Sequence, residues 1–339
     1  MTSAVALGIA LALPASAAGG AEQQTILELA VAPPTKAFTG KSLVTTWHGK
    51  SSRAVEQKVY FSPPGKWRHE VLNASGKVVK TTIQRGTKEW VVQDGYGITL
   101  ERDVKRIREG DLGRAELKNL IAENFDIEIV GERDLLGFRA KGVSLTPKSK
   151  VGPRRVLWVD PKTGIVLHRR QTNHRGRLVR ESRMVVLEAA DRLPENLFTP
   201  PPEDERPIVR EKMRPEIESA AALKAKGFPK TAWQPQIPYG YRMDSVRILP
   251  VGEARIAHFR YTDGLSPLSL FLSPYAIDAS DMPASLSGLD NGQGFAATSW
   301  AGTVLGWRQK RLHYLLVGDL SRGNLRKIKR LLRSAKAPG

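Results

Sequence analysis

Cysteine is absent from the 339 residues, which excludes disulfide staples, thiol catalysis, disulfide exchange and cysteine-ligated metals. The chain is nevertheless long enough for two ordinary domains with full apolar cores, so packing alone can hold it. Long hydrophobic runs are missing too. No stretch approaches the roughly eighteen apolar residues of a membrane-spanning helix. The histidines, His48, His69, His168, His174, His258 and His313, include no i, i+4 pair with the glutamate that a zinc-protease helix needs, so no metal site is expected. No G-x-S-x-G elbow or S-x-x-K pair announces an activated serine. Gly95-Tyr96-Gly97 and Gly292-Gln293-Gly294 are too short to cradle a phosphate and read as turns. Asp126 and Glu128 form a carboxylate pair, but their alternation fits the solvent face of a strand. A distant acid pair of the glycosidase type stays open. The expectation is a binding protein with no catalytic residues and no cofactor.

Basic charge, by contrast, is abundant: 53 lysines and arginines against 34 acids give a net charge of +19. In a cytoplasmic protein this would put nucleic acid first among partners. The amino terminus redirects that reading. Residues 1–20 carry no charge, and an apolar run from Ala4 to Leu13 precedes Pro14 and the small residues Ala15-Ser16-Ala17-Ala18. They read as a secretory signal peptide that lacks the usual basic start, the alternative being an alanine-rich tail. An exported, extracytoplasmic protein does not meet the chromosome, so no nucleic-acid partner is expected. Anionic lipid headgroups and acidic protein segments become the candidates, with simple solubility the alternative.

Along the chain, Lys41 to Glu188 alternates with period two and meets turn residues every eight to twelve positions, about the rhythm of an antiparallel meander. Strands are predicted at Lys41–His48, Ala54–Ser62, Trp67–Asn73, Val78–Gln84, Glu89–Gln93, Phe125–Ile129 and Phe138–Leu145. One helix interrupts them at Gly113–Glu123, with Leu117, Leu120 and Ile121 on one face, and can cover an open sheet. The proline-rich stretch Leu193–Pro215, with its charge cluster Glu203-Asp204-Glu205-Arg206, reads as a linker unable to pair as a strand or continue as a helix. A short helix is expected within Glu216–Lys226. The second half reads as mixed α/β. Strands at Arg255–Tyr261 and Leu268–Ser273 flank an Asp263-Gly264 turn, and two more are expected at Ala297–Trp307 and Arg311–Val317. A last helix starts at the N-cap Ser321 and carries Leu325, Ile328, Leu331 and Leu332 on one stripe amid seven cations, Arg326 and Arg330 among them. Either that stripe packs on its own sheet, or the helix is drawn to anionic lipid or an acidic partner. The division is then 1–20 signal peptide, 21–198 β domain, 199–231 linker and short helix, and 232–339 α/β domain.

From Arg154 to Leu167, through Val156-Leu157-Trp158-Val159-Asp160-Pro161-Lys162-Thr163-Gly164, two strands join by an Asp-Pro-x-x-Gly turn. The run continues through Asn173-His174-Arg175-Gly176 to a third strand ending near Leu187. This meander resembles the end of the first domain in RseB/MucB regulators of envelope-stress sigma factors, and equally the LolA-like lipoprotein carriers whose fold that domain shares. The second half separates the two. Trp233, Ile237-Pro238-Tyr239-Gly240-Tyr241, His258 and Tyr261-Thr262-Asp263-Gly264-Leu265-Ser266 are similar to the carboxy-terminal pattern of RseB/MucB proteins, a domain that LolA-like carriers lack. Val151-Gly152-Pro153-Arg154-Arg155 stands where the family often has a tyrosine-rich element, and nothing before Lys41 matches.

The resemblance implies a mainly β protein: an open, LolA-like antiparallel sheet covered by a helix, followed by a smaller α/β domain. It also implies a regulator that binds the extracytoplasmic domain of a membrane anti-sigma factor and responds to lipid or lipoprotein acyl chains. A periplasmic lipid carrier without a transcriptional role is the alternative. A concave apolar face could take an acyl chain, at about 0.8 kcal/mol per buried methylene. The aromatics expected to line it are Trp47, Tyr60, Trp67, Trp90, Phe125, Phe138 and Trp158. Tyr261, Asp263 and Gly264 of the turn, with Arg326 and Arg330 of the basic helix, are the candidate partner surface, and an anionic membrane surface is a further candidate contact.

Overall fold

The computed structural model describes residues 33–95, 97–103, 112, 114–210, 217, 219–251, 254–274, 294–299 and 302–334, together with 22, 25, 27 and 28. The expected signal peptide at 1–20 lies outside the described residues, as does the cation Lys336.

The first half forms one open sheet of twelve strands. In chain order these are β1 (Ala37–His48), β2 (Ser51–Ser62), β3 (Lys66–Leu72), β4 (Val78–Arg85), β5 (Lys88–Gln93), β6 (Thr99–Asp103), β7 (Phe125–Leu135), β8 (Phe138–Pro147), β9 (Arg154–Val159), β10 (Val166–Thr172), β11 (Leu178–Ala190) and β12 (Ile208–Arg210). Their spatial order is β12-β6-β5-β4-β3-β2-β1-β11-β10-β9-β8-β7. Only β12 with β6 is parallel; the other pairings are antiparallel, as short turns between consecutive strands require. The long excursion is thus between β1 and β11, which pair from Ala37↔Ala190 to Thr46↔Arg180.

Helix α1 (Arg114–Asn124) enters between β6 and β7 and covers the β7–β9 end of the sheet. Ile121 packs with Phe125, Val143, Leu145, Leu157 and Val159, and Leu27 from the amino-terminal segment joins the same cluster. Each fully buried side chain of this kind contributes about 1.5–3 kcal/mol. Lys118 pairs with Glu28 and Lys141 with Glu22 around it.

Two expectations need correction here. Within the stretch read as an unpaired linker, Ile208–Arg210 is strand β12, added to β6 at the sheet edge with Ile208 opposite Thr99. Proline is tolerated there because an edge strand uses one row of backbone groups only. Upstream of it, a 3₁₀ turn at Glu195–Phe198 buries Phe198 against Ile83 and Trp90, so this part of the stretch belongs to the first core. Strand β6 itself carried no clear alternation and was missing from the expectations.

The second half forms a seven-stranded antiparallel sheet. It comprises β13 (Gln236–Ile237), β14 (Tyr241–Val251), β15 (Ala254–Thr262), β16 (Pro267–Ser273), β17 (Ala296–Ser299), β18 (Gly302–Gln309) and β19 (Leu312–Gly318), ordered β13-β14-β15-β16-β19-β18-β17. The single strand expected at Ala297–Trp307 is a hairpin instead, with Ser299 opposite Gly302. Gly302 has a φ of +121°, a value open to glycine and rarely to other residues. Strand β14 was also unforeseen.

Among the described residues, two α-helices complete this domain. The short α2 (Ala220–Ala225) is capped by the Ser219 hydroxyl, which accepts from Ala222 N–H. Helix α3 (Arg322–Ser334) is capped by Ser321, whose hydroxyl accepts from Asn324 N–H at 3.3 Å. Its stripe of Leu325, Ile328 and Leu332 is buried with Leu305, Trp307 and Leu316 of the sheet. The stripe therefore packs on its own domain; Arg322, Arg326, Lys327, Arg330 and Arg333 are exposed, while Lys329 lies 5.4 Å from the Trp307 ring centroid.

Candidate functional site

Two features stand out, a joint between the domains and a groove on the first sheet. The joint is built where α1 ends. Asn124 Nδ2 donates to the carbonyl oxygens of Gly240, at 2.9 Å, and Asp263, at 3.1 Å. Glu123 beside it pairs with Arg242 at 2.6 Å. From β9, Arg155 reaches across and donates a 2.6 Å hydrogen bond to the Ser266 hydroxyl in a fully buried setting. At the far side Gln171 donates to Asp319 at 3.3 Å.

Close approach fixes two residue choices. A Cβ on Gly264 (φ +100°) would sit 2.7 Å from Ile121 Cγ1 and 3.2 Å from the Leu117 carbonyl oxygen. At Gly240 (φ +79°) it would meet the Asn124 side chain at 1.9 Å. Only glycine allows both the backbone conformation and the contact.

The Thr262–Ser266 turn is knotted internally. Asp263 Oδ1 accepts from Leu265 N–H at 2.9 Å and Ser266 N–H at 2.6 Å. Burial raises the Asp263 carboxyl above the ordinary aspartate range, opposed by the Arg155 charge and by those backbone donors. Leu265 packs onto the core beneath α1. Tyr261 is fully buried, and burial raises its phenol. The sequence reading offered Tyr261, Asp263 and Gly264 as partner surface; the structure puts them inside, where the chain contacts itself, because the turn is the plug of the joint. Arg326 and Arg330 are exposed on α3.

The groove lies on the face of β10, β11, β1, β2 and β3. Register places Arg169 beside Ser182, Met184 beside Ser42, Ser42 beside Gln57 and Val59 beside His69. Together with Phe38, Trp67 and Ile165 these surround a cavity of about 290 Å³. Arg169 opens to solvent through it. Desolvation, then the cations Arg155 and Arg180, lowers its guanidinium below the ordinary arginine value.

The seven aromatics of the expected lipid pocket do not gather in one cavity. Trp67 lines the groove. Tyr60 and Trp90 pack on the opposite face, against Ile83 and Phe198, where Trp90 Nε1 donates to Glu101 at 2.9 Å. Their register explains it: Tyr60 pairs with Arg68, the neighbour of Trp67, and successive residues of a strand face opposite ways. Phe125 fills the core under α1. Trp158 is buried in the same cluster as Phe138, with the Arg133 guanidinium 4.2 Å from its ring centroid. Trp47 lines a separate cleft of about 300 Å³ between the domains, with His48, Arg180 and Thr303. Phe38, Val59, Ile165, Met184 and Arg169 escaped the sequence reading, which chose aromatics from predicted elements that begin only at Lys41.

Among the described residues no group of histidines and acids could hold a metal ion.

Comparison with known proteins gives a consistent picture. Residues 68–202 match the MucB/RseB N-terminal domain. The fold is similar to a chain of the Pseudomonas aeruginosa MucA/MucB complex, with a TM-score of 0.60, 17% identity, and 94% of this chain and 99% of that chain covered. MucB in complex with MucA(peri) gives 0.57 at 17% identity, covering 95% and 99%. MucB alone gives 0.52 at 17% identity, covering 93% and 97%. No curated protein matches the sequence.

Proposed function

We propose that this chain, a member of the RseB/MucB family, is a periplasmic regulator that binds the extracytoplasmic segment of a membrane-anchored anti-sigma factor and answers to lipid in its first domain. The observation that carries the reading is the second domain with its joint. A LolA-like sheet alone would serve a carrier, whereas here a further seven-stranded domain is clamped to it through Asn124, Arg155 and the Thr262–Ser266 turn. The same two-domain fold, covered over 95% of this chain, belongs to a MucB solved with MucA(peri). No helix among the described residues is long and apolar enough to cross a membrane.

The acidic segment of such a partner has cations available on both domains. Arg180 of the first and the exposed face of α3 in the second flank the interdomain cleft or lie near it. Opposite charges of this kind set encounter rate and specificity.

The test is recovery of the native, tagged chain from its own cells. An anti-sigma factor should copurify, and deletion of the chain should raise stress-response transcription. Failure of both sinks the reading. The carrier alternative rests on the groove by itself, and would gain if lipid copurifies while transcription stays unchanged.

A further inference from the structure

The structure assigns Arg169 as the head-group anchor of a site for a single-chain anionic lipid, with the acyl chain lying against Phe38, Val59, Trp67 and Met184. This inference rests on the lipid half of the reading above and names the ligand class that the groove takes.

Three observations converge. First, the groove is amphipathic: four apolar walls face a guanidinium across a cavity of about 290 Å³. Second, that guanidinium has no acid of its own. Among the described residues Arg169 makes no ion pair, and the charges acting on it are the cations Arg155 and Arg180. Arg155 donates through Nη2 to Ser266, and Arg180 lines the neighbouring interdomain cleft. Every nearby charge therefore disfavours an empty site and favours an incoming anion. The side chain is exposed at the groove, so an incoming anion can reach it. Third, Ser182 and Gln57 sit in the same lining and can donate to an oxyanion beside the guanidinium.

Size selects the chain number. A cavity of about 290 Å³ lies at the bottom of the usual range for ligand pockets, about 300–1,000 Å³, which suits one chain better than two. A neutral chain would gain the apolar burial but leave Arg169 unanswered. Carboxylate and phosphate monoester share the required chemistry, a compact oxyanion at the end of one chain.

The experiment uses the full chain, stripped of lipid, in calorimetric titrations with laurate, a lauroyl lysophosphatidate and neutral monolaurin, all below their micelle concentrations. Both anions should bind at least about tenfold more tightly than monolaurin, the worth of one charge-assisted hydrogen bond. The tighter of the two identifies the head group. Arg169→Met should erase the preference while monolaurin binding persists, and Arg169→Lys should keep most of it. Met184→Trp, which fills the groove from its apolar side, should abolish binding of all three and guards against a misfolded arginine variant. Equal binding of charged and neutral chains, or an unchanged preference in Arg169→Met, overturns the anchor and leaves lipid binding standing. Absence of any amphiphile binding overturns both.

Discussion

Arg155 and Ser266, 111 positions apart, meet in a buried 2.6 Å hydrogen bond that ties the first sheet to the second domain. The same guanidinium lies near the Asp263 carboxyl and lowers its pKa against the effect of burial. Removing either partner should therefore loosen the joint by more than the bond itself. Arg155→Met and Ser266→Ala are each expected to lower stability, and a double-mutant cycle in urea should return a coupling of about 1.5–3 kcal/mol, the range for a bond to a charged group. Simple additivity would show that the contact does not hold the domains.

Gly264→Ala should be costly for two reasons at once. The backbone is left-handed, and the new Cβ would collide with Ile121 at 2.7 Å. A loss of about 1–3 kcal/mol is expected. Faster amide exchange at the end of α1 should accompany it, whereas Gly76→Ala, in an open turn with nothing within 4 Å, should leave α1 exchange as it was.

His258 gives a pH signature. It stacks on Phe271, with centroids 4.3 Å apart, and contacts the Ser269 hydroxyl at 3.0 Å. Desolvation, followed by the cations Arg260 and Arg247, lowers its pKa from 6.5 to about 4. The unfolded state then binds the extra proton first. The contribution is complete above pH 6.5 and is lost as pH falls toward 4, amounting to about 3 kcal/mol. Asp263, raised by burial, acts in the opposite sense, stabilising the fold where it is protonated. Urea midpoints across pH 4–7 should slope down toward acid in the wild type and flatten in His258→Gln. A slope unchanged by that substitution would assign it elsewhere.

Helix α3 separates folding from attraction. Ile328 is fully buried and Arg326 and Arg330 are exposed. Ile328→Ala should cost about 2–5 kcal/mol. Arg326→Glu with Arg330→Glu should leave the melting temperature within a degree or two of wild type and weaken sedimentation with anionic vesicles, an effect that fades with added salt. Equal vesicle binding by that double variant would remove this face from consideration.

The aromatics offer a face-specific contrast. Trp67→Ala should weaken amphiphile binding, because Trp67 lines the groove. Tyr60→Phe should leave it intact, since that ring lies on the other face with Ile83 and Trp90. The reverse result in titrations would put the ligand on the wrong side of the sheet.

Much of the architecture was legible in the sequence. Alternation fixed most strand positions to within a few residues, as between the expected Val78–Gln84 and the observed Val78–Arg85. The helical spacing of Leu117, Leu120 and Ile121 located α1, and Ser321 announced α3. Such signals are local: each depends on periods of two or about 3.6 residues and on end-capping chemistry. Strand β12 was not legible, because a three-residue parallel edge among prolines has no period to display.

The site was harder to read, and the reason is again physical. Sequence determined that Asp263-Gly264 is a turn, that the α3 stripe is apolar, and that the chain carries a large positive charge. It could not determine what the turn touches. Alternation states that Tyr60 and Trp67 face opposite ways, but not which face is covered by Phe198 and which is left as a groove. Likewise, Arg169 is one arginine among many until β11, β1, β2 and β3 fold beside it and, among the described residues, leave it without an ion pair. Those decisions belong to contacts between residues more than a hundred positions apart, such as Arg155 with Ser266 and Asn124 with Asp263, and only the packed chain creates them.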